Sequence, residues 1–347
     1  MRIMTTLPQR DLRLVADAAR AAEAQGYDGV VTLENRHEPF LSLGVAAVAT
    51  ERLQLATGVA IAFPRSPMVT ASTAWDLQLA SRGRFVLGIG PQVRAHNENR
   101  FSVKWSPPAP RLREYVKAMR AIWRCWEKGE KLKFEGEHYR FTLMTPNFTP
   151  PSLHLPMVPV ELAAVGPHTL RLAGEVADGV RLHAFCTRKY LEEMVMPRLA
   201  EGWAKSGRTR ENFEIHGGGF VATGATEEEV AKKVDWVRMR VGFYGSTPAY
   251  WPVLEAHGLG DLGRKLNAMS KQGQWSDMTR EISDDVVRLF AAVGTHREIA
   301  KAIRARFAGS DSVSASATSE EGSDLPPDVI QDIQRIPTSF AGYGAAW

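Results

Sequence analysis

Glu34 and His37 stand three residues apart at the end of the second predicted strand, DGVVTLE. A carboxylate and an imidazole in this position could act as acid and base in a reaction that moves a proton. The same residues could instead be an exposed loop carboxylate and a histidine that caps the next helix. Their spacing also occurs in metal sites, but no third ligand is evident, and we expect no bound metal.

The turn Val165-Gly166-Pro167 lies where the fifth predicted strand leads into a helix. Backbone N–H groups at a helix N-terminus lack partners within the helix and favour an anion, so this turn could bind a phosphate group. An ordinary strand-to-helix turn uses the same glycine and proline, and the pattern alone leaves both interpretations open.

Three further side chains fall near predicted strand ends. Phe40 and Phe63 lie in loops and could wall an apolar substrate pocket, although single aromatic residues in loops are common. His183 follows the sixth predicted strand and could contact a substrate or be a core histidine with satisfied hydrogen bonds.

The elements that position these residues are clearest in one central unit. The apolar runs 53–59 and 85–90 predict buried strands, and Ser66-Pro67 predicts the start of a helix between them. Strands joined by such a crossover helix are parallel, and folds of this kind bind ligands at the carboxyl ends of their strands. Glycines at those ends, Gly58 and Gly90, would let a planar ligand approach the backbone.

The whole chain repeats this alternation and predicts eight strands, with residues 213–224 as the seventh and 311–317 as the eighth. The leading architecture is therefore an α/β fold of the (β/α)8 TIM barrel type. We expect insertions after strands four and seven, at about 130–158 and 245–290. The barrel domain would span 1–317, and the tail 318–347 has too little apolar content for a core of its own.

A doubly wound open sheet is the main alternative fold. It is disfavoured because no GxGxxG motif follows a predicted strand, and Val93 stands where the third glycine of such a motif would be.

Composition excludes several classes of protein. The 347 residues carry a mild net charge of +4 with dispersed Lys and Arg, so we expect a small-molecule substrate and no nucleic acid. No apolar run reaches the length of a membrane helix and no signal core is evident, which predicts a cytoplasmic protein that binds no membrane. Cys125 and Cys186 lack the spacing of a zinc site or a disulfide framework.

Five segments in order resemble the bacterial luciferase-like superfamily, and in particular its deazaflavin-dependent (coenzyme F420) oxidoreductases. They are GYDGVVTLENRHEPF, LATGVAIAFPRSP, GRFVLGIGPQVRAHNENRF, FEGEHYRFTLMTP and ELAAVGPHTLRLAGEVADGV. The resemblance spans about residues 1–317. It implies a barrel of the luciferase-like type, commonly a homodimer, that holds a flavin or deazaflavin across the mouth at the carboxyl ends of the strands.

The resemblance also implies roles for individual residues. It places a non-prolyl cis peptide between Gly58 and Val59, beneath the cofactor ring, and makes the phosphate interpretation of the turn at Gly166 the favoured one. The loop after strand four would contribute to the ring edge, and deazaflavin enzymes often carry a proton donor there. No acid adjoins Gln92 in this sequence, so His96 is the substitute donor. The predicted cofactor contacts are Thr57, Gly58, Val59, Gly90, Gln92, Val165, Gly166 and Pro167.

The implied activity is hydride transfer between coenzyme F420 and a small organic substrate, with Glu34, His37 and His96 as candidate catalytic residues. Two alternatives stay open. The chain could be a two-component monooxygenase that uses FMN and oxygen, or a barrel that binds a flavin-like molecule without turnover. A fold of this kind hosts many chemistries and does not name the substrate.

Overall fold

Eight parallel strands form a closed barrel in the computed structural model, which describes residues 1–315 and 322–344. Each strand pairs with its neighbours in chain order, and the last pairs with the first through Arg2 and Ser312. The predicted (β/α)8 barrel is confirmed. The barrel strands are β1 (Arg2–Thr6), β2 (Gly29–Thr32), β3 (Gln54–Thr57), β4 (Phe85–Gly90), β5 (Val160–Ala164), β6 (Gly179–Leu182), β7 (Glu214–His216) and β8 (Ser312–Ser314).

Helices surround the barrel. They are α1 (Val15–Gln25), α2 (Phe40–Ala49), α3 (Pro67–Ala80), α4 (Arg94–Asn99), α5 (Pro108–Lys128), α6 (Pro167–Val176), α7 (Arg188–Tyr190), α8 (Met196–Ser206), α9 (Glu227–Gly245), α10 (Trp251–Glu255), α11 (Gly260–Lys271), α12 (Asp284–Phe290), α13 (Ile299–Arg306) and α14 (Pro327–Gln334). A π-helical segment, Leu191–Val195, joins α7 to α8. Within the described residues, no helix combines the length and apolarity that a membrane crossing needs.

Local sequence signals set several helix ends. Ser66 is the N-cap of α3, and its hydroxyl accepts a hydrogen bond from the Met68 N–H at 3.2 Å. Gly26 ends α1 in the left-handed conformation, with φ of 94°. Along α5, a stripe of apolar side chains is buried against the barrel and α3, and the Trp123 indole N–H donates to the Ala71 carbonyl at 3.1 Å.

The first insertion carries a short antiparallel pair, Phe134–Glu135 with Arg140–Phe141. The carboxylate of Glu114 on α5 fixes its turn by accepting from the N–H groups of Glu137, His138 and Tyr139. The insertion is therefore anchored to the barrel's outer helix layer.

The prediction of one strand over 213–224 is wrong. Strand β7 ends at His216, three glycines follow, and Phe220–Gly224 forms a separate parallel pair with Ala291–Thr295 outside the barrel. Gly219 has a φ of 135°, a conformation that side chains disfavour, so the chain changes direction there. The strand Ala291–Thr295 is not among the predicted strands, the last two of which lie at 213–224 and 311–317.

The segment after residue 321 packs on the barrel. Val329, Ile330 and Ile333 of α14 are buried in the main core. Further along, Phe340 and Tyr343 lie at the amino end of the barrel, where the Arg2 guanidinium is 5.0 Å from the Phe340 ring centre. The proposed domain boundary at 317 falls outside the described residues.

Candidate active site

The mouth of the barrel has a floor of glycines contributed by β3 and β4. The peptide bond between Gly58 and Val59 is cis, as the resemblance implied. A Cβ atom added to Gly90 would lie 3.0 Å from Cγ2 of Val59 and 3.1 Å from Cβ of Ala163, so the floor has no room for a larger residue. We call Gly58, Gly88 and Gly90 the glycine floor.

Thr57, next to Gly58, stabilises the glycine floor from the buried side. Its side chain is fully buried, and its hydroxyl donates to the Gly88 carbonyl at 2.6 Å. The hydroxyl of Thr57, a predicted cofactor contact, is thus used in a hydrogen bond that ties β3 to β4.

A guanidinium lies directly beneath the glycine floor. Arg181 of β6 is 6% exposed; its Nη1 is 3.5 Å from where a Cβ on Gly58 would be, and its Nε is 2.9 Å from the same position on Gly88. Its Nε is 2.5 Å from the carboxylate of Glu161 on β5. Because Gly58 and Gly88 have no Cβ atom, the Arg181 guanidinium can lie against the underside of the glycines.

Glu34 is tied into an ion pair. Its carboxylate accepts from the backbone N–H of Ile61 and from Arg65 Nη1, both at 2.7 Å, and the side chain is 7% exposed. Arg65 also donates to the Ile61 carbonyl at 2.9 Å. Glu34 thus anchors the segment that follows the cis peptide bond to the end of β2.

His37 lies apart from this ion pair, on the exposed loop before α2. The cap of α2 comes from Glu38, whose carboxylate accepts from the N–H groups of Phe40 at 2.7 Å and Leu41 at 3.0 Å. The alternative that a histidine caps this helix is therefore wrong, because the neighbouring glutamate holds that position.

The loop after β4 is held by a buried amide. Asn97 is fully buried and its Nδ2 donates to the carbonyls of Pro91 at 2.8 Å and Val93 at 3.1 Å. Its Oδ1 is also buried and has no hydrogen-bond partner among the described residues. Gln92 has a positive φ of 59° and binds its own loop through the Val93 N–H, while His96 is exposed on α4.

The predicted phosphate turn opens toward solvent. Gly166 is the N-cap of α6 with Pro167 at the first helical position, and no atom lies within 4 Å of where a Cβ on Gly166 would be. Beside it is a cleft of about 450 Å³ lined by 107–110, Arg113, 166–169 and Arg171. The Val165 carbonyl accepts from the Tyr190 hydroxyl at 3.2 Å. Free N–H groups and the nearby Arg171 make this cleft suited to an anion.

His183 meets the second insertion at the end of β6. Its Nδ1 accepts from the Phe185 N–H at 3.0 Å, so the neutral ring carries its proton on Nε2, which is 3.2 Å from the Tyr250 hydroxyl. The His183 and Tyr250 rings stack at 4.5 Å, and the Tyr244 ring meets His183 edge-on at 4.6 Å. Burial, with a smaller effect of Arg240, lowers the pKa of His183 to about 4. Both ring nitrogens are satisfied, which favours the core-histidine alternative.

The two predicted pocket aromatics are covered by arginines. Phe40 and Phe63 are buried, with exposed fractions below a tenth. The Arg65 guanidinium is 5.5 Å from the Phe40 ring centre, and that of Arg111 is 4.3 Å from the Phe63 ring centre. Each ring therefore has a guanidinium over one face.

Comparison with known proteins identifies the family. The family model described as luciferase-like monooxygenase matches residues 2–311. The chain belongs to this family. An uncharacterized protein of Mycobacterium tuberculosis is 48% identical over 298 residues, which cover 86% of this chain and 88% of that protein. A 5,10-methylenetetrahydromethanopterin reductase of Archaeoglobus fulgidus is 29% identical over 327 residues, 91% of each chain.

A solved structure supports the same fold for this luciferase-like chain. The coenzyme F420 dependent tetrahydromethanopterin reductase from Methanopyrus kandleri superposes with a TM-score of 0.75 at 19% identity, covering 96% of this chain and 97% of that one. The predicted membership of the luciferase-like superfamily is confirmed.

Sequence reasoning missed a buried polar network inside this luciferase-like barrel. The Tyr343 hydroxyl donates to the carboxylate of Glu214 and lies 2.8 Å from Oε1 of Glu161. Glu214 also accepts from the Ser312 hydroxyl and forms an ion pair with Arg2. Burial, with Glu214 nearby and Arg181 opposing, raises the pKa of Glu161 to about 8. Burial acts in the same direction on Glu214, but Arg2 and hydrogen bonds outweigh it and lower that pKa to about 2.

One signal could have found this network. Glu161, Arg181 and Glu214 are charged residues within predicted buried strands, and charged residues are seldom fully buried unless paired. Among the described residues, no group of three or more His, Cys, Asp or Glu gathers as metal ligands would.

Proposed function

We propose that this chain is an oxidoreductase that transfers a hydride between coenzyme F420 and a small organic substrate. The observation that carries the proposal is the glycine floor with the Arg181 guanidinium directly beneath it. A planar ring can lie against backbone only where side chains are absent, and a buried cation there favours a ring that gains negative charge on reduction. The Archaeoglobus fulgidus reductase matches over nine-tenths of both chains, and the structurally similar tetrahydromethanopterin reductase from Methanopyrus kandleri depends on coenzyme F420; together they support the choice of cofactor.

The residues present fit such a cofactor. Gly58, Val59 and Gly90 would hold the ring, and the open N-terminus at Gly166 and Pro167 would hold its phosphate. The unpartnered Oδ1 of Asn97 lies in the loop that would border the ring. When bound, the deazaflavin supplies the carbon that accepts or donates the hydride.

The chain's own residues would orient the reactants and donate or accept the proton that accompanies hydride transfer. Glu34 is held by Arg65 and Ile61, so its role is to position the floor rather than to exchange a proton with substrate. His96 is exposed on α4 and stays the candidate donor at the rim. Tyr250 and His183 are neutral at neutral pH, because burial raises the pKa of Tyr250 to about 12 and lowers that of His183 to about 4.

A second candidate is a flavin-dependent monooxygenase, favoured by the description of the family model that matches the chain. The two candidates differ in cofactor and therefore in the need for oxygen. A barrel that binds a flavin without turnover is the third outcome, kept because Glu34 is ion-paired and no acid adjoins Gln92.

Titration of the purified protein with coenzyme F420 and, separately, with FMN tests the proposal. We expect saturable F420 binding at micromolar concentration and at least tenfold weaker FMN binding. Gly90→Ala, which places a Cβ about 3 Å from Val59 and Ala163, should weaken F420 binding about tenfold. The control Gly44→Ala sits in α2 with its nearest neighbour 4.0 Å away and should bind normally.

Preference for FMN would favour the monooxygenase. Binding of neither cofactor would contradict the proposal. F420 binding without hydride transfer to any carbonyl, imine or enone would favour the non-catalytic barrel.

A further inference from the structure

A half-buried arginine at the end of α13 has no acidic partner among the described residues. The Nη2 of Arg306 donates to the carbonyls of Cys186, Gly218 at 3.2 Å and Phe290 at 3.3 Å. Its Nε is buried without a hydrogen-bond partner, and the titratable groups that act on the guanidinium are the Cys186 thiol and the His257 ring. Burial raises the pKa of that thiol to about 11, so neither group supplies a negative charge. A partly buried cation without a counter-charge favours an anion beside it.

Arg306 lines a cavity of about 460 Å³ between the turn after β6, the outer strand Ala291–Thr295 and α13. Three more cations line it: Arg188, Lys189 and Arg288. Of the described lining residues, Glu192 alone is acidic, and its carboxylate is bound by Arg188 at 2.7 Å. The cavity therefore has a clear excess of positive charge.

Two polar side chains join these cations. The Thr187 hydroxyl accepts from the Tyr190 N–H at 3.2 Å and lies 2.8 Å from Nε2 of His257. Thr187 and His257 both line the cavity and add hydrogen-bonding groups to the cationic side chains.

Part of the cavity lining is apolar. It includes Leu289, Ala291, Ala292, Val293 and Ala302. A small inorganic ion would leave these residues uncovered, whereas a ligand with an anionic head and an apolar body would contact both them and the cations.

We propose that this cavity binds an organic anion, with its phosphate or carboxylate group on Arg306 and Arg288 and its apolar part against the strand Ala291–Thr295. The guanidinium fork suits both head groups, since each offers paired oxygens. The site does not include the glycine floor or the turn at Gly166, and it is independent of the function proposed above.

Isothermal titration of the full chain without added cofactor tests this proposal. The probes are 4-phenylbutyrate, 3-phenylpropyl phosphate and the neutral analogue 4-phenylbutanol. We expect saturable binding of at least one anion and at least tenfold weaker binding of the alcohol. The ratio between the two anions identifies the preferred head group.

Variants locate the site. Arg288→Ala removes an exposed side chain that lines the cavity and should weaken anion binding about tenfold. Arg306→Lys should weaken anion binding at least as much. If loss of the hydrogen bonds from Arg306 to the three carbonyls impairs folding, Arg288→Ala still tests the proposal. Arg304→Ala is the control, because Arg304 is exposed on the same helix and is not among the lining residues.

Equal binding of the alcohol, no saturable binding of either anion at millimolar concentration, or an equal loss in Arg304→Ala would overturn the proposal. Repeating the titration with coenzyme F420 present should leave the anion affinity unchanged. A failure of F420 to bind would thus count against the proposed function and not against this site.

Discussion

Glu34 shows how the environment of a side chain changes the role that its type suggests. A carboxylate at a barrel mouth is a candidate acid or base. Here the Glu34 carboxylate forms an ion pair with Arg65 and accepts a hydrogen bond from the Ile61 N–H. Those partners belong to the segment after the cis peptide bond. The structure therefore gives Glu34 the task of holding that segment in place.

Replacing Glu34 with Gln tests this role. The variant leaves Arg65 without its nearly buried partner, and we expect the free energy of unfolding to fall by about 2 kcal/mol. Cofactor affinity should fall with it, because the glycine floor shifts. Urea denaturation and cofactor titration measure both effects. The control Glu98→Gln breaks the more exposed pair with Arg94 and should change stability by less than about 1 kcal/mol. Normal stability and affinity in Glu34→Gln would contradict the positioning role.

The buried carboxyl of Glu161 predicts a pH dependence of stability. Its pKa rises from 4.5 to about 8 on folding, so the folded state binds a proton that the unfolded state has released. Stability should therefore decrease as pH rises from about 5 to 8, by up to ~5 kcal/mol.

Glu161→Gln should flatten that decrease, since an amide does not titrate. Denaturant unfolding at several pH values in this range measures the slope. Titration of Glu214 does not contribute to the slope between pH 5 and 8, because its lowered pKa affects stability only below about pH 4.5. Parallel slopes in the two proteins would show that another group is responsible.

At this scale the sequence revealed candidates but few of their partners. Glu34, Gly58 and Gly166 were found from strand ends and from the family resemblance. The ion pair of Glu34 and the network around Glu161 depend on residues such as Arg65 and Tyr343, which are brought near only by the closed barrel. Contacts between residues far apart in the chain leave no local pattern to detect.

At the scale of elements, local signals predicted local structure well. Thr226 with Glu229 three residues later is a capping-box pattern that predicts the start of a helix, and the Thr226 hydroxyl accepts from the Glu229 N–H at 3.3 Å at the start of α9. The errors lie where an element is defined by a distant partner. Phe220–Gly224 resembles a continuation of β7, and only its pairing with Ala291–Thr295, some 70 residues later, shows that it leaves the barrel.

Tyr250 is the contact through which the second insertion covers the end of β6. Tyr250→Phe removes the hydroxyl that His183 Nε2–H binds, and we expect a loss of about 1 kcal/mol in the stability of this contact. Hydrogen exchange should quicken in 243–257 while exchange in the barrel strands stays the same. Phe148→Leu, at an exposed ring of the first insertion, is the control and should leave exchange in 243–257 unchanged. Unchanged exchange in Tyr250→Phe would mean that ring stacking alone holds the insertion.

At the scale of the molecule, adjacent helices α2 and α3 expose an apolar surface. Its members are Leu41, Val48, Val69 and Leu79, of which Val48 is the most exposed at 78%. Exposed apolar patches of this kind are typical of interfaces between subunits. This surface is where we expect the predicted homodimer to form.

Val48→Asp should convert such a dimer to monomer, because it places a charge in an apolar interface. Light scattering after size exclusion measures the mass directly. Leu143→Asp, at an equally exposed residue of the first insertion, should leave the mass unchanged. A wild-type protein that is monomeric at micromolar concentration would contradict the prediction.

Phe340 and Tyr343 give the barrel a closed end, with Arg2, Glu161 and Glu214 filling the space above them. The barrel is therefore closed at its amino end and open at its carboxyl end, and the reactant that binds first occupies the deeper part of the site. A ring on the glycine floor would be covered by the second reactant, so the kinetics should follow a compulsory order with the cofactor first and last. Product inhibition patterns would reveal this order. A random order would mean that neither bound reactant covers the other.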